Sequence, residues 1–440
     1  MSIRPFPAPA DAACVAVYRD LREGVPKDSA QIGYGYNLYP AAPATDRHVQ
    51  QVLARCQRQG RLHEYGTAHD AADRALAAEL AGEYLGVPVG EEQVMFTAGA
   101  SEGIGLVARY LAACDTAMIL PAPCYFAFEQ ATRRNPAAIA GRYREDGTVH
   151  WSGGGARHTA LVETLPNGVT GDLFVPPAVQ ADFRLLDIVF QAGGHAPDPH
   201  LITDRARAAL NGTLTDTAVM MTPSKDLCVP GLRAGLLISG DTSLINAARD
   251  DVFNRVASPS PLAGQLVLLY LTVLLMAEAA HHSSGRAAGR RYAWLRAAYR
   301  RHDVDCPTEQ TLQVIARHLD AMSTHFEESF HLLTEHGRGL LEIRDHLQPV
   351  AGYSLLPGLT ADLDGPEELI AWVNRVGREH RLKVNPTLLF GGTRDSWSTL
   401  YPGRAAIRVN LSVPHDDLLH TLALLRTARH GLATAKVVVA

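Results

Sequence analysis

Short apolar runs alternate with helical stretches through the first 240 positions of the chain. Residues 93–97, 117–120, 160–164, 185–190, 218–222 and 235–239 read as strands, and 46–58 and 70–85 as helices. Strands separated by helices at this spacing predict an α/β fold with a doubly wound, mostly parallel sheet. From about residue 262 the pattern turns helical and stays so to about 345, with Phe326, Phe330 and Leu333 on one face. The apolar run 266–276 is too short to span a bilayer and reads as a buried helix. Strand candidates follow near 352–356 and 406–409, and a last helix begins near Asp416. Residues 1–44, punctuated by Pro and Gly, read as an irregular arm.

A chain of 440 residues exceeds what one compact core usually holds. Two domains are expected: a large one over 45–300 that carries the sheet, and a smaller α+β one built from the 1–44 arm and residues 301–440. The formal net charge is −5, with acids and bases interspersed and no basic stripe, so a nucleic-acid partner is not expected. Six cysteines lie scattered without CxxC spacing, which suggests neither a metal site nor a disulfide framework and suits a reduced cytoplasm. The opening Met-Ser-Ile-Arg-Pro-Phe-Pro holds no apolar signal core, so a membrane location is not expected.

The chemistry concentrates in Met221-Thr-Pro-Ser-Lys225-Asp-Leu-Cys-Val-Pro-Gly231-Leu-Arg233-Ala-Gly235. A lysine leaving a strand end into a polar turn can form an imine with an aldehyde. The Thr222 and Ser224 hydroxyls and the Arg233 guanidinium can hold a phosphate nearby. Upstream, Phe96-Thr-Ala-Gly-Ala-Ser-Glu-Gly103 places backbone N–H groups around Ala100 and Ser101, with the Ser101 hydroxyl, at a helix start that suits phosphate. Each element also has a plain structural alternative: a surface lysine on a loop, and an ordinary strand-to-helix turn.

The S/T-x-S-K-x(5)-G-x-R-x-G spacing resembles the cofactor-lysine motif of the class I/II aminotransferases, enzymes of fold type I that use pyridoxal 5′-phosphate (PLP). The resemblance implies that Lys225 carries PLP as a Schiff base and shuttles protons, and that Arg233, Thr222 and Ser224 hold its phosphate with Ala100 and Ser101. Other pieces occur in the family's order. Tyr125, in Pro121-Ala-Pro-Cys-Tyr125, matches the aromatic that stacks on the pyridine; a core tyrosine is the alternative. Asp187, 38 residues before Lys225, matches the acid that pairs with the pyridine nitrogen; a surface acid or helix cap is the alternative. Tyr65, in His63-Glu-Tyr-Gly66, matches the tyrosine that reaches the neighbouring subunit's phosphate, which implies a homodimer. Arg408 matches the arginine that forks onto the substrate α-carboxylate, and an arginine in a surface ion pair is the alternative. Residues 349–353 resemble the start of the small-domain sheet, and the likeness spans roughly 35 to 425.

The pattern breaks at two positions. Gly168 stands where the family has asparagine, and Phe190 where it has tyrosine. Both lost groups contact the cofactor's phenolic oxygen in the family, so their loss would keep the imine protonated over a wider pH range. Asn167, one place away, is the candidate to restore one contact. The stretch 277–320 is extra, a solvated helical decoration or a hairpin at the dimer surface or cleft mouth. The expected activity is that of a PLP-dependent transferase acting at the α-carbon of an amino acid in secondary metabolism. The alternative is a synthase or lyase performing β- or γ-elimination and replacement, carbon–carbon bond formation or cyclisation, with S-adenosylmethionine or an arginine-like substrate.

Overall fold

The computed structural model describes residues 13–60, 71–132, 138–152, 155–188, 190–191, 200–250, 260–281, 285–343, 349–360, 363, 365–391 and 405–437. Helix α1 (Ala13–Asp20), strand β1 (Ala30–Gln31), α2 (Pro43–Arg58) and α3 (Ala71–Leu85) precede the central sheet. The sheet contains β2 (Val94–Thr97), β3 (Thr116–Pro121), β4 (Ile139–Tyr143), β5 (Val149–Trp151), β6 (His158–Leu165), β7 (Phe183–Ile188), β8 (Thr217–Met221) and β9 (Gly235–Ser239). Their order is β2-β9-β8-β7-β6-β3-β4-β5. The contiguous run β8-β7-β6-β3-β4 is parallel, whereas β9 is antiparallel to both its neighbours and β5 to β4. Helices α4 (Ala100–Ala113), α5 (Phe126–Thr132) and α6 (Leu201–Leu210) connect the strands, and α7 (Thr242–Asp250) follows the last of them.

The expected mostly parallel, doubly wound sheet is what forms, and its central strands are buried on both faces. Leu186, Ile188, Val219, Met221, Leu236 and Ile238 share one core with α3 residues such as Leu76 and Leu80. Leu185, Ala218, Met220 and Leu237 share another with Ile104 and Val107 of α4 and Leu244 of α7. This alternation is the period-2 pleat seen from its two sides.

Beyond the sheet come α8 (Pro261–His281), α9 (Gly285–Arg301) and α10 (Glu309–His336). Helix α8 has the length and composition to cross a membrane, but 83% of its apolar window is buried within the fold, so it is a core helix as expected. Phe326, Phe330 and Leu333 are all buried on α10. The extra stretch is more than a solvated decoration. Leu295, Ala298 and Tyr299 of α9 are buried, the Tyr299 and Thr272 hydroxyls lie 2.7 Å apart, and Arg291 reaches Glu83 of α3 at 2.5 Å. None of its described residues reaches the cleft treated below.

The chain then forms β10 (Leu341–Glu342), β11 (Ser354–Leu355), β12 (Gly358–Leu359), α11 (Pro366–His380), β13 (Leu382–Lys383), β14 (Val409–Asn410) and α12 (His415–Val437). The expected strands near 352–356 and 406–409 thus shrink to the pairing of β11 with β14, with isolated bridges at Ala406 and Ile407. Two sheet strands, β4 and β5, escaped the sequence reading. Ile139-Ala-Gly-Arg-Tyr143 carries few β-branched residues, and β5 is a three-residue edge. The 1–44 stretch is also less irregular than expected, because it contains α1 and β1. Val17 and Leu21 are buried, the Asn374 amide donates to Asp20 O at 2.7 Å, and β1 pairs with β13.

Candidate active site

The parallel strands end on one side of the sheet, and the loops there enclose a cleft of about 530 Å³. This is where open α/β sheets place ligands. Asp187 lies one residue from the end of β7, Thr164 one residue from the end of β6, and Thr222 directly after β8. The cleft gathers nine sequence-predicted residues: Ala100, Ser101, Tyr125, Asp187, Thr222, Ser224, Lys225, Arg233 and Arg408.

One end of the cleft is built from α4 and the 222–235 loop. Gly99 precedes α4 with φ +88°, a conformation that L side chains rarely adopt. A Cβ there would also lie 2.9 Å from the Arg233 guanidinium. The turn therefore needs glycine, and it leaves the first amides of α4 directed beyond the helix. Arg233 donates to Ala98 O at 2.8 Å, which fixes its head over this turn. The Thr222 hydroxyl lies 2.8 Å from Ala234 O and 2.9 Å from the Ser224 hydroxyl. The Ser101 hydroxyl is 3.0 Å from that of Tyr125, which ties the aromatic wall to the same helix start. Amides, hydroxyls and a guanidinium converging in this way form an anion cradle.

Lys225 and Asp187 face each other electrostatically in the middle of the cleft. Burial pushes the Asp187 carboxyl up to about 7, and the Lys225 charge opposes that rise. Asp187 is 3% exposed, and no described residue donates a hydrogen bond to it. The Lys225 ammonium is pushed down to about 8 by burial and by the Arg408 and Arg233 charges, against the opposing pull of Asp187. Its Nζ donates to Gly35 O at 2.7 Å.

At the other end sits Arg408, a buried guanidinium with no carboxylate partner among the described residues. Among the described residues its guanidinium makes one hydrogen bond, a long one of 3.3 Å to Gly33 O; its Nε has no partner, and its Cζ lies 5.1 Å from the centre of the Phe390 ring. Burial lowers its pKa, since an unpaired cation is costly away from water. Gly35 lets Arg408 and Lys225 approach together, because a Cβ there would come within 2.9 Å of Arg408 Nη2.

Two predicted residues stand apart. Asn167 is buried but does not line the cleft. Its Nδ2 donates to Pro123 O at 2.7 Å, and its Oδ1 accepts from Val169 N at 2.9 Å. The amide thus ties its own turn to the loop after β3, and Asn167 is not among the residues that line the cleft. Tyr65 lies outside the described residues. Gly168 and Phe190 both line the cleft, so the two departures from the family pattern fall at the site itself.

Sequence reasoning missed Tyr353. It is 2% exposed, lines the cleft, packs edge-on against Phe190 at 5.1 Å, and its hydroxyl has no partner among the described residues. Gly352, at φ +83° and with Phe190 carbons 2.7 Å from where its Cβ would be, lets the backbone bring Tyr353 this close. The motif at 349–353 was visible, but no signal in it marked the tyrosine as a cleft group. Tyr18, Tyr36 and Phe126 at the mouth were missed too, for they join the site only through the tertiary fold.

Residues 29–153 match the family model of class I and II aminotransferases. No curated protein matches the chain. Solved structures share the fold across nearly all of it. Tyrosine aminotransferase from Leishmania infantum superposes with a TM-score of 0.65 at 14% identity, covering 98% of this chain and 100% of its own. Aspartate aminotransferase from Thermus thermophilus with maleate gives 0.64 at 16% identity, covering 97% and 100%. Aromatic aminotransferase from Pyrococcus horikoshii gives 0.61 at 14%, covering 96% and 99%. The likeness is thus of two kinds: residues 29–153 match the class I and II aminotransferase model, and the chain as a whole shares the fold of these solved aminotransferases.

Proposed function

We propose that the chain is a PLP-dependent enzyme that transfers the amino group of an α-amino acid to a keto acid, working as a homodimer. One observation carries this reading: the cleft brings together a lysine of lowered pKa, a buried carboxyl, Asp187, and a buried guanidinium, Arg408, neither of which has an oppositely charged side chain in hydrogen-bonding contact among the described residues. Buried charges without partners are costly, and a ligand carrying the complementary groups would satisfy both.

The residues fit PLP. The α4 start, Ser101, Thr222, Ser224 and Arg233 suit its phosphate. Asp187 suits a protonated ring nitrogen, Tyr125 a ring face, and Lys225 the aldehyde. When bound, the cofactor supplies an electron sink for negative charge developing at the substrate α-carbon. Arg408 would take the substrate carboxylate in two parallel hydrogen bonds and so aim the α-carbon towards Lys225. With its pKa near 8, Lys225 is an amine able to accept the α-proton near neutral pH and return it elsewhere. Asp187, whose carboxyl burial raises to about 7, would be held anionic by a protonated ring nitrogen opposite it, and Phe190 and Val169 help exclude water.

A second reading has its own observation. Gly168 and Phe190 present no polar group to the cleft, and Asn167 is turned away. That favours elimination, replacement, carbon–carbon bond formation or ring closure from the same proton removal. The discriminating experiment adds PLP to the purified protein and supplies nitrogen-labelled amino acids with a keto acid. Label recovered in the amino acid formed from the keto acid supports transfer, whereas label released as ammonia, or kept on the substrate's own carbon skeleton in an altered product, supports the second reading. A Lys225→Ala protein that keeps the visible cofactor band and wild-type turnover would sink both.

A further inference from the structure

The charged side chains lining the cleft, among the described residues, are Asp187, Lys225, Arg233 and Arg408. On the reading above, on which this inference rests, the cofactor and the substrate α-carboxylate engage all four. No lining cation remains for a second carboxylate, and no lining acid for a distal amine or guanidinium. The exposed large side chains that remain in the described lining are aromatic. Tyr18 is 52% exposed, Tyr36 44% and Phe126 46%, so three of the seven large apolar side chains that are exposed among the described residues surround one opening.

These rings are held in place. The Arg22 guanidinium lies 5.0 Å over Tyr18 and is anchored by donating to Val384 O at 3.0 Å and to the Asn385 side chain. Tyr36 packs edge-on against Tyr34 at 5.5 Å, and Phe126 edge-on against Tyr125 at 4.7 Å. Aromatic walls fixed before a ligand arrives save the ordering that a flexible mouth would need. Each presents a face or edge to the opening for offset or T-shaped contact with another ring. The opening also continues into the Arg408 end of the same cleft, where Phe390 and Leu389 carry the apolar lining inwards.

We propose that the substrate is an α-amino acid with a bulky, uncharged aromatic side chain, its carboxylate at Arg408 and its ring among Tyr18, Tyr36 and Phe126. Acidic amino acids would bring a carboxylate against the negative faces of these rings, basic ones would find no lining acid among the described residues to pair with, and alanine would leave the rings uncovered.

The test uses the PLP-loaded protein and three unreactive carboxylates, 3-phenylpropionate, propionate and succinate, with affinities measured by calorimetry. The expected result is 3-phenylpropionate binding about tenfold or more tightly than either of the others, the range in which apolar pockets discriminate. Phe126→Ala and Tyr36→Ala, at surface positions where folding is little affected, should narrow that preference by weakening 3-phenylpropionate more than propionate. Turnover of phenylalanine, tyrosine and tryptophan should likewise exceed that of aspartate, lysine and alanine. Tighter binding of succinate, or equal binding of all three, overturns the proposal while leaving the cofactor reading intact. So does a Phe126→Ala change in oligomeric state with no change in affinity, which would mean that a second copy covers the rings. Failure of the protein to show a cofactor band removes both.

Discussion

Replacing Arg408 with methionine separates a ligand-binding arginine from a structural one. In the ligand-free protein this guanidinium is buried and has no acidic partner among the described residues, one long hydrogen bond of 3.3 Å, and an unpartnered Nε. Substituting an apolar side chain of similar length removes a desolvation penalty and keeps the packing on Phe390, so folding stability should hold or rise. Carboxylate binding should respond the other way. Losing the charged partner of a buried ion pair typically costs about 2–5 kcal/mol. At about 1.4 kcal/mol per decade that is roughly 30-fold to several thousand-fold in affinity. The two assays are urea unfolding of the ligand-free variant and calorimetry with an unreactive carboxylate. Destabilisation by several kcal/mol with carboxylate affinity unchanged would refute the reasoning, because Arg408 would then belong to the scaffold.

Three further outcomes follow from the same geometry. Lys225 reacts with aldehydes as the neutral amine, so capture of PLP by the cofactor-free protein should accelerate as pH rises and level off above about 8. Stopped-flow absorbance reads that profile, and Arg408→Met should move it to higher pH because a like charge has been removed; a shift to lower pH contradicts the assignment. Gly99→Ala forces a side chain into φ +88°, ψ 170° against Arg233, at a cost of about 1–3 kcal/mol, and should weaken PLP retention about tenfold in a dialysis assay. Tyr353→Phe deletes a hydroxyl that no described residue engages, so thermal unfolding of the ligand-free protein should be nearly unchanged. Carboxylate or cofactor affinity should fall by about twofold to tenfold if that hydroxyl meets a ligand, as one hydrogen bond provides. Marked destabilisation would instead make it structural.

The sequence by itself determined the central sheet and the chemistry at its edge. Strands β3, β6, β7, β8 and β9 were legible because both of their faces are buried, so they appear as near-continuous apolar runs. Lys225, Thr222, Ser224 and Arg233 were legible because one loop carries them all, and spacing along a chain survives without coordinates. Only the tertiary structure decided the rest. Helix α1 is eight residues long, too short to persist alone, and it holds through contacts with residues more than 350 positions away. Strands β4 and β5 hold through their neighbours rather than through their own composition. Asn167 could be placed next to the site by sequence, but only its hydrogen bonds to Pro123 and Val169 show that its amide points elsewhere. Tyr353 and the rings at the mouth come from segments far apart in the chain, and no local pattern records which side chains a fold will bring to one opening.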